Sequence, residues 1–435
     1  PLKLTKFKPR GLAFGKKICK LAIMDKLGCG LTPDHTDHTL TLPSPSTNGM
    51  RKGMRIRSIL LTTALGFSLI AITTHSLHAQ TDVSEPFKVG TFEVEGTPTV
   101  GIVLRDQYIV ALNRANTALE RDPAFPEIPE PADMLDLISR YEYGMKARLY
   151  EIVNYVVDND MVTGTRPDYV YDLSEVETLP PIMYPGKILN AAVNFYSHVN
   201  EAGTPEQQEE ARRQRSENRG VPYLFLKPSR GAVIGNGHEI VIPWGRDRID
   251  WEVELGAVMG RAGKYISANN AEAHVFGYMV TIDVSDRGGR PPGGNPMTSD
   301  WFVGKGHDTF APQGPWIVPK EFYGNPMEIL RQTLSIGTEQ LQEATAGDMI
   351  HSLWELIEYG SSIITLYPGD VVNNGTSGGT NAGSDRGYLQ PGEVVSATID
   401  GIGTLTLPAI AEAEPQGLSG AQLTPVCDYR SCNQN

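Results

Sequence analysis

A short run in the middle of the chain restricts its fold more than any other feature. Trp251, Val253 and Leu255 alternate with Glu252 and Glu254. This period of two predicts a half-buried β-strand that places both carboxylates on one face. Because unpaired buried charge is costly, a strand of this kind requires a cation beside the two glutamates.

A divalent cation would meet this requirement. Mg²⁺, Mn²⁺ and Ca²⁺ prefer oxygen ligands, and carboxylates are their usual ligands in proteins. A third carboxylate, Asp283, ends another apolar run that begins at His274. Glu252, Glu254 and Asp283 are therefore candidate ligands of one metal ion, and the alternative is that they are surface acids on an edge strand.

Eight segments between Ile188 and Ile410 resemble the fumarylacetoacetate hydrolase family, in family order. They are Asn194-Phe-Tyr-Ser-His198-Val-Asn-Glu201, Leu224-Phe-Leu-Lys-Pro228, Asp250-Trp-Glu-Val-Glu-Leu255, Gly277-Tyr with Asp283-Val-Ser-Asp-Arg287, Trp301 with Gly304-Lys305 and Asp308, Gly314-Pro-Trp316, Leu366-Tyr-Pro-Gly-Asp370 and Gly375-Thr376. The pair of glutamates alone is weak evidence, whereas eight ordered segments are strong evidence. The acylpyruvase and 2-hydroxyhepta-2,4-diene-1,7-dioate isomerase members are the most similar in pattern.

The resemblance implies an α+β, β-rich fold. We expect a mixed β-roll or barrel with flanking helices, like the family's C-terminal domain, preceded by a small N-terminal β/helical module. The predicted boundaries are a β module at 81–122, a Pro-rich linker and helices at 123–186, the catalytic domain at 187–411 and a C-terminal tail at 412–435.

The resemblance also assigns roles to individual residues. Glu252, Glu254 and Asp283 match the family's metal ligands, with Mg²⁺ expected and Mn²⁺ or Ca²⁺ as alternatives. His198 and Glu201 match the catalytic base and its orienting carboxylate. Their spacing places them on one face of a helical turn.

A further set of residues is implied to contact the substrate or its developing charge. Lys305 is expected to stabilise an oxyanion and is counted as catalytic. Substrate contacts are expected from Arg287, Arg290, Thr376 and Lys227, although a structural role for Arg287 and Lys227 stays open.

Two of these neighbourhoods depart from the family pattern. Arg290 stands where glutamine is common, and His307 stands where phenylalanine is usual. Both changes add polar or basic groups at predicted substrate contacts. They favour a more anionic or hydroxylated substrate.

The function that the resemblance implies is hydrolysis of a C–C bond in a 1,3-diketo or acylpyruvate-type acid. The bond would break to an enolate held by the metal and Lys305. A decarboxylase, hydratase or enol–keto isomerase on the same scaffold is the first alternative. An exported binding protein for carboxylic acids, without catalysis, is the second.

The charge of the chain is unevenly distributed. Residues 1–79 contain 12 of the 38 basic and 3 of the 51 acidic residues, so the remainder has 26 basic and 48 acidic residues, a formal charge of −22. Such an acidic body disfavours binding to nucleic acid or anionic membranes. The expected partners are a small oxo acid and, by resemblance, a second copy in a homodimer.

The first 80 residues are predicted to be a leader and a signal peptide and not part of the folded domain. Residues 54–80, with Arg55 and Arg57 before an apolar stretch from Ile59 to Ile72, have the pattern of a secretory signal peptide. An uncleaved anchor is the alternative. Residues 1–53 read as non-native or upstream leader sequence. We therefore expect an exported protein, periplasmic or secreted, with no membrane attachment once the signal is removed.

Only Cys427 and Cys432 remain after the signal segment. A small-loop disulfide suits an oxidising compartment, and two free thiols are the alternative. Elsewhere the pattern predicts a hairpin turning at 105–107, helices within 132–158, a loop-like stretch at 159–186, a capped helix over 204–218 and an amphipathic helix over 348–362.

Overall fold

The computed structural model describes residues 82–292, 300–417 and 423–432. The predicted leader and signal segment lie outside these residues. The strands are β1 (Lys88–Val94), β2 (Thr97–Leu104), β3 (Tyr108–Ala111), β4 (Val170–Asp172), β5 (Glu177–Leu179), β6 (Ile188–Ala191), β7 (Leu224–Lys227), β8 (Val233–Ile234), β9 (Ile240–Ile242), β10 (Ile249–Asp250), β11 (Val253–Met259), β12 (Val275–Ile282), β13 (Ser285–Asp286), β14 (Ala311–Pro319), β15 (Arg331–Ile336), β16 (Glu339–Thr345), β17 (Val371–Asn373), β18 (Val394–Ile399) and β19 (Gly403–Ala411).

The helices flank the sheets. They are α1 (Leu112–Leu119), α2 (Met134–Arg140), α3 (Met145–Asp158), α4 (Pro205–Glu217), α5 (Trp301–Lys305), α6 (Lys320–Tyr323), α7 (Pro326–Ile329) and α8 (Leu353–Ile363). The prediction of an α+β, β-rich chain with flanking helices is confirmed. No helix among the described residues has the length and apolarity needed to cross a lipid bilayer.

The strands form one large mixed sheet and two smaller ones. The large sheet has the order β4-β3-β2-β1-β14-β12-β11-β17-β6-β7, with β5 pairing to β1 and β8 to β14. A five-stranded sheet has the order β16-β15-β18-β19-β9, and β10 pairs with β13. The strands that carry the predicted metal ligands, β11 and β12, therefore lie near the middle of the large sheet.

The N-terminal strands belong to the same sheet as the site. Strand β1 pairs antiparallel with β14, with Val89 opposite Ile317. The predicted hairpin at 105–107 is confirmed, since Leu104 pairs with Tyr108. The loop-like prediction for 159–186 is wrong in part, because β4 extends the sheet beside β3 and β5 pairs with β1. These strands are three residues each, too short for a periodicity to show.

The expectation that the glutamate strand is half-buried is also wrong. All seven residues of β11 are buried. The strand is paired on both edges, by β12 and β17, and both of its faces meet a hydrophobic core. Leu255 and Ala257 join the core that includes α8, while Val258 joins the core that includes α3. The carboxylates of Glu252 and Glu254 are thus in the interior.

The helix predictions agree with the structure. Helices α2 and α3 occupy the 132–158 region, and α8 covers the second half of 348–362 and ends one residue beyond it. Helix α4 begins at Pro205, and Thr204 caps it through a reciprocal pair of hydrogen bonds with Gln207. No residue of α4 is buried, as its charged sequence predicts.

The C-terminal segment packs against the protein. A disulfide joins Cys427 and Cys432, as expected from their spacing. Val426 is fully buried, and its backbone N–H donates to the carbonyl of Gly245. Residues 423–432, part of the predicted C-terminal tail, are therefore held against the rest of the protein through Val426.

Candidate active site and metal centre

Antiparallel pairing brings the three predicted metal ligands together. Glu254 lies in β11, opposite Thr281 of β12, and Val253 lies opposite Ile282. Asp283 follows β12 directly, and its N–H donates to the carbonyl of Glu252 at 2.9 Å. One oxygen from each of Glu252, Glu254 and Asp283 lies within 4.8 Å of the others. The two apolar runs of the sequence thus converge on a single cluster of carboxylates.

Lys305 at the end of α5 reaches into this cluster. Its Nζ lies 2.8 Å from Glu252 Oε2, 2.7 Å from Asp283 Oδ2 and 2.6 Å from Ser285 Oγ. Burial disfavours its charge, but Asp283 and Glu252 outweigh burial and raise the pKa of the ammonium group. Lys305 is therefore charged at neutral pH and lies among the predicted metal ligands. The role expected for it from the resemblance is to stabilise an oxyanion.

Two further cations brace the carboxylates. Lys227 is paired with Asp283 and donates to the carbonyl of Val284 at 2.9 Å. Its full burial lowers the pKa of the ammonium group, against the charge of Asp283. Arg287 is paired with Glu252, and its Nε donates to Asp250 Oδ2 at 2.9 Å.

The cluster contains more acid than base. The buried carboxylates are those of Asp250, Glu252, Glu254 and Asp283, and the cations beside them are Lys227, Arg287 and Lys305. Glu254 has no basic hydrogen-bond partner among the described residues. It accepts from Asn190 Nδ2 at 3.1 Å and from the Gly375 N–H at 3.3 Å.

The environment of Glu254 supports a divalent cation at this point. Its burial, together with the charges of Asp283 and Glu252, raises the pKa of the Glu254 carboxyl well above its usual value. Glu252 differs, because Lys305, Arg287 and His198 outweigh its burial and lower its pKa. A hard divalent ion held by Glu252, Glu254 and Asp283 would neutralise the remaining negative charge, and the all-oxygen donor set suits Mg²⁺, Mn²⁺ or Ca²⁺.

His198 and Glu201 form a pair, as their spacing predicts. His198 Nδ1 is hydrogen-bonded to Glu201 Oε2. The contact is made by a 3₁₀ turn, Tyr196–His198, followed by Asn200 in the left-handed region, rather than by a continuous helix. With Nδ1 engaged by a carboxylate, Nε2 is the nitrogen left to accept a proton.

Glu201 is itself fixed by the loop that follows β17. It accepts from the Gly379 N–H at 2.6 Å, and from the N–H and hydroxyl of Thr380 at 3.3 and 2.8 Å. Burial opposes protonation of His198, but the hydrogen bond to Glu201 and the charges of Glu252 and Glu201 raise its pKa. The imidazole is therefore oriented and made more basic.

His198, Glu252, Arg287 and Lys305 line one cavity of 60 Å³, whereas Glu201, Glu254 and Asp283 are not among its lining residues. Its polar lining consists of His198, Glu252, Arg287, Lys305 and Thr376, and its apolar lining of Ala191, Ala192, Val193, Phe225 and Trp301. Thr376 lies in the cavity wall, but its hydroxyl donates to the Val253 carbonyl at 2.9 Å and accepts from Gln342 Nε2 at 2.8 Å. In this geometry the hydroxyl anchors the loop to β11.

The structure does not place Arg290 in this cavity. Arg290 is paired with Asp300, and it is absent from the described residues that line the cavity. His307 Nε2 lies 3.2 Å from Asp286 Oδ2 and is likewise engaged elsewhere. Lys227 lies beneath the cluster, on Asp283, and does not line the cavity either. The substrate contacts predicted for Arg290 and Lys227 stay predictions.

Several residues of the site were missed in the sequence. The side chain of Asn190 donates to Glu254, and the side chain of Gln342 donates to Thr376. Phe225 and Trp301 form the apolar wall. Phe225 and Trp301 lie within the segments that carry the family resemblance, but Gln342 lies in β16, outside all of them, and no local pattern marks it.

A family model describes the same region of the chain. The model of the fumarylacetoacetate (FAA) hydrolase C-terminal domain matches residues 187–408. The chain belongs to this family. The predicted membership of this family is therefore confirmed.

Members of the fumarylacetoacetate hydrolase family with different activities are similar to this chain. A 2,4-didehydro-3-deoxy-L-rhamnonate hydrolase of Sphingomonas sp. (strain SKA58) is 34% identical over 226 residues, which cover 52% of this chain and 73% of the relative. A mitochondrial oxaloacetate tautomerase of Bos taurus is 34% identical over 233 residues, which cover 53% of this chain and 69% of the relative.

Solved structures of the family share the fold. A maleylpyruvate hydrolase from Sphingobium sp. SYK-6, in complex with manganese(II) ion and pyruvate, superposes with a TM-score of 0.55 at 24% identity and covers 75% of this chain and 100% of its own. A fumarylacetoacetate hydrolase from psychrophilic Exiguobacterium antarcticum gives 0.56 at 23% identity, with the same coverage. Hence the chain has the family's fold and belongs to a family of enzymes that act on oxo acids.

Proposed function

We propose that this protein is a divalent-metal-dependent hydrolase that cleaves a C–C bond in a 1,3-diketo acid of the acylpyruvate type. The observation that supports this choice is the His198–Glu201 pair in the wall of the cavity that Glu252 and Lys305 also line. A base of this kind is needed to activate water and is superfluous in a site that merely binds an acid.

The residues of the chain account for the steps. His198 Nε2 takes a proton from water, and Glu201 stabilises the imidazolium that forms. The hydroxide adds to the acyl carbonyl carbon, and the bond between that carbon and the adjacent methylene breaks. The electron pair passes into the 2-oxo acid fragment as an enolate, near the Lys305 ammonium. Protonation of the enolate carbon completes a carboxylic acid and a 2-oxo acid.

A cation bound by Glu252, Glu254 and Asp283, for which we propose Mg²⁺ with Mn²⁺ or Ca²⁺ as alternatives, would polarise the keto oxygens of the substrate. The three carboxylates that would hold it are themselves held by Lys227, Lys305 and Arg287. Arg287 also lines the cavity and is the described cation best placed to meet a substrate carboxylate.

The second candidate is an oxo acid tautomerase or another isomerase, or a lyase such as a decarboxylase or hydratase. It is favoured by the similarity to a mitochondrial oxaloacetate tautomerase. Such a reaction would use the same carboxylate cluster and Lys305 and needs no attacking water. A non-catalytic carboxylic-acid-binding protein is the third candidate and leaves the His198–Glu201 pair without a role.

One experiment separates the three candidates. Purified protein is incubated with acetylpyruvate and, separately, with enol-oxaloacetate, with Mg²⁺ or Mn²⁺ and with chelator, and the loss of enol absorbance and the products are followed. A hydrolase releases acetate and pyruvate only with metal, and His198→Ala lowers this rate by about 10²–10⁴-fold. Conversion of oxaloacetate that survives His198→Ala, without acetylpyruvate cleavage, would establish the tautomerase. Binding without turnover of either compound would establish the binding protein.

Export, with residence in the periplasm or secretion, and assembly as a homodimer are also proposed. The first rests on the pattern of residues 54–80 and the second on the family resemblance. N-terminal sequencing of the mature protein and the mass in solution by light scattering would test them.

A further inference from the structure

The cavity of the proposed enzyme has one polar wall and one apolar wall. On the apolar side, the rings of Phe225 and Trp301 have centroids 4.8 Å apart, and Tyr223 continues the row with its ring 5.6 Å from that of Trp301. Trp301 is 41% exposed, so the aromatic row runs from the cavity to the surface. Val193 is also exposed and lines the same cavity.

The small volume of the cavity limits which part of a substrate can enter it. At 60 Å³ it is far smaller than the roughly 300–1,000 Å³ of ordinary ligand pockets. It has room for the 2-oxo acid end of a substrate, next to Arg287 and Lys305. The group beyond the acyl carbonyl must then lie at the mouth, against Trp301 and Val193.

The charges at the mouth disfavour a second carboxylate there. The basic residues among the described lining are Arg287, Lys305 and His198. The first two already donate to the acidic cluster, and His198 is paired with Glu201. A distal carboxylate would therefore face Phe225 and Trp301 without a cation of its own, which is costly when it is desolvated. An apolar or aryl group gains from the same surface.

We propose, on the basis of the function proposed above, that the substrate is an acylpyruvate-type acid whose acyl group is apolar or aromatic. Phe225 and Trp301 are the residues that determine this specificity. The inference replaces the sequence expectation of an anionic or hydroxylated substrate, since Arg290 and His307 are engaged by Asp300 and Asp286 outside the cavity.

The test compares three acids that differ only beyond the acyl carbonyl: benzoylpyruvate, acetylpyruvate and fumarylpyruvate. We expect the highest kcat/KM for benzoylpyruvate and the lowest for fumarylpyruvate. Trp301→Ala should lower kcat/KM for benzoylpyruvate about 3–10-fold more than kcat/KM for acetylpyruvate, as one aromatic contact is worth roughly 0.5–1.5 kcal/mol. Trp301→Phe should keep most of the preference.

Phe302→Ala is the matched control, since Phe302 is 75% exposed and does not line the cavity. A preference for fumarylpyruvate, or an equal effect of Trp301→Ala on all three acids, would overturn the specificity and leave the hydrolase intact. Absence of metal-dependent turnover of every acid would instead overturn the proposed function, and this inference with it.

A second, independent observation concerns residues 423–432, which lie beyond the part of the chain that the family model matches. Tyr429 donates its hydroxyl to the carbonyl of Gly289 at 2.9 Å. Arg246, whose side chain is fully buried, donates to Asp286 Oδ2 at 2.6 Å, to Gly289 O at 2.7 Å and to Tyr429 OH at 3.0 Å. Together they clamp the loop that carries Arg287.

Packing around Gly288 makes this clamp tight. A Cβ atom at Gly288 would lie 2.6 Å from Arg246 Nη2 and 2.6 Å from Val426 Cγ2. The segment that supplies Val426 and Tyr429 is closed on itself by the Cys427–Cys432 disulfide. The loop after Arg287 therefore lies directly against the C-terminal segment.

We infer that the C-terminal segment positions Arg287 in the active site, with Arg246 and Tyr429 as positioning residues. A double-mutant cycle distinguishes this from a merely structural role. Tyr429→Phe should raise KM for acetylpyruvate about 3–10-fold, as expected for a lost hydrogen bond of roughly 0.5–1.5 kcal/mol, with little change in kcat. In an Arg287→Gln background it should have no further effect.

The disulfide gives a second readout. Cys427→Ser with Cys432→Ser should raise KM in the same way, and dithiothreitol should raise KM of the wild type but not of this double variant. An additive cycle with Arg287→Gln, or an unchanged KM in both variants, would overturn the inference. These outcomes leave the proposed hydrolysis untouched, because KM and kcat of the wild type are measured first.

Discussion

The ammonium nitrogen of Lys305 lies 2.8 Å from Oε2 of Glu252. Glu252 is also one of the three carboxylates that converge within 4.8 Å, so one side chain faces both a lysine and the proposed metal ion. A metal ion at this site would therefore compete with Lys305 for the negative charge of Glu252. Substitution of Lys305 can therefore separate the effect of the lysine on catalysis from its effect on metal binding.

Lys305→Met is expected to reduce turnover without weakening metal binding. Removal of the ammonium group leaves Glu252 and Asp283 more negative, which favours a divalent cation. The same change removes the charge that meets the enolate, for which a loss in kcat of about 10²–10³-fold is typical. Steady-state rates at saturating Mn²⁺, with Mn²⁺ affinity from calorimetry, check both halves. Loss of Mn²⁺ binding would show that Lys305 organises the ligands instead.

Lys227→Met should act on stability, in contrast to Lys305→Met. Lys227 is fully buried, pairs with Asp283 and does not line the cavity. Its loss leaves the Val284 carbonyl and one oxygen of Asp283 without a donor, and breaking a buried pair typically costs about 3–5 kcal/mol. Urea unfolding of the metal-free protein measures this cost. An unchanged midpoint with a raised KM would instead support the substrate contact that the resemblance implied for Lys227.

Glu254→Gln should abolish metal binding yet stabilise the metal-free protein. Glu254 is 1% exposed and has no basic hydrogen-bond partner among the described residues, so its charge is the least compensated of the cluster. A neutral amide removes that charge and can still accept from Asn190 and Gly375. The melting temperature of the metal-free variant should rise by about 2–4 °C for each kcal/mol gained. Calorimetry with Mn²⁺ should show no binding, and a variant that still binds Mn²⁺ would exclude Glu254 as a ligand.

The sequence was sufficient to predict that the three carboxylates converge, because they follow two regular strands. An apolar run that ends in Asp283 and an alternating run that carries Glu252 and Glu254 need only antiparallel pairing to converge, and β11 and β12 provide it. The His198–Glu201 contact was equally predictable, since it is local in the chain. The full burial of β11 was not predictable, because it depends on packing against α3 and α8, which lie far away in sequence.

Contacts at the edges of the site escaped prediction for the same reason. The engagement of Arg290 by Asp300 and of His307 by Asp286 depends on how one loop folds back, and no periodicity encodes it. The clamp by Tyr429 joins residues 140 positions apart. Side-chain pairings made by loops are therefore harder to predict from a sequence than the convergence of two paired strands.

Arg290→Gln tests whether Arg290 contacts the substrate. Because Arg290 pairs with Asp300 away from the lining residues, its removal should leave KM for acylpyruvates within about twofold, the effect typical of an exposed ion pair. Arg287→Gln, the matched variant inside the cavity, should raise KM by at least about tenfold, as loss of a charge-assisted hydrogen bond predicts. A large rise in KM for Arg290→Gln would restore the contact that the sequence indicated.

Glu201→Gln should move the acidic limb of the pH–rate profile to lower pH. A general base must be neutral to accept a proton, so kcat/KM falls as the pH drops through the pKa of His198. Burial alone would lower that pKa, but the hydrogen bond to Glu201 and the charges of Glu252 and Glu201 raise it above its ordinary value. Glutamine keeps a hydrogen-bond acceptor for Nδ1 and removes the charge, so the histidine loses its proton at a lower pH.

The same substitution should lower the plateau rate, because a weaker base removes the proton of water less readily. Profiles of kcat/KM against pH at saturating Mn²⁺ measure both effects, and saturation with metal keeps the charge of Glu252 constant across the comparison. Thr380→Val is the matched control, since it removes one hydrogen bond to Glu201 and leaves the carboxylate charged. An acidic limb that stays in place in Glu201→Gln, or that disappears in the control, would mean that a group other than His198 carries the proton.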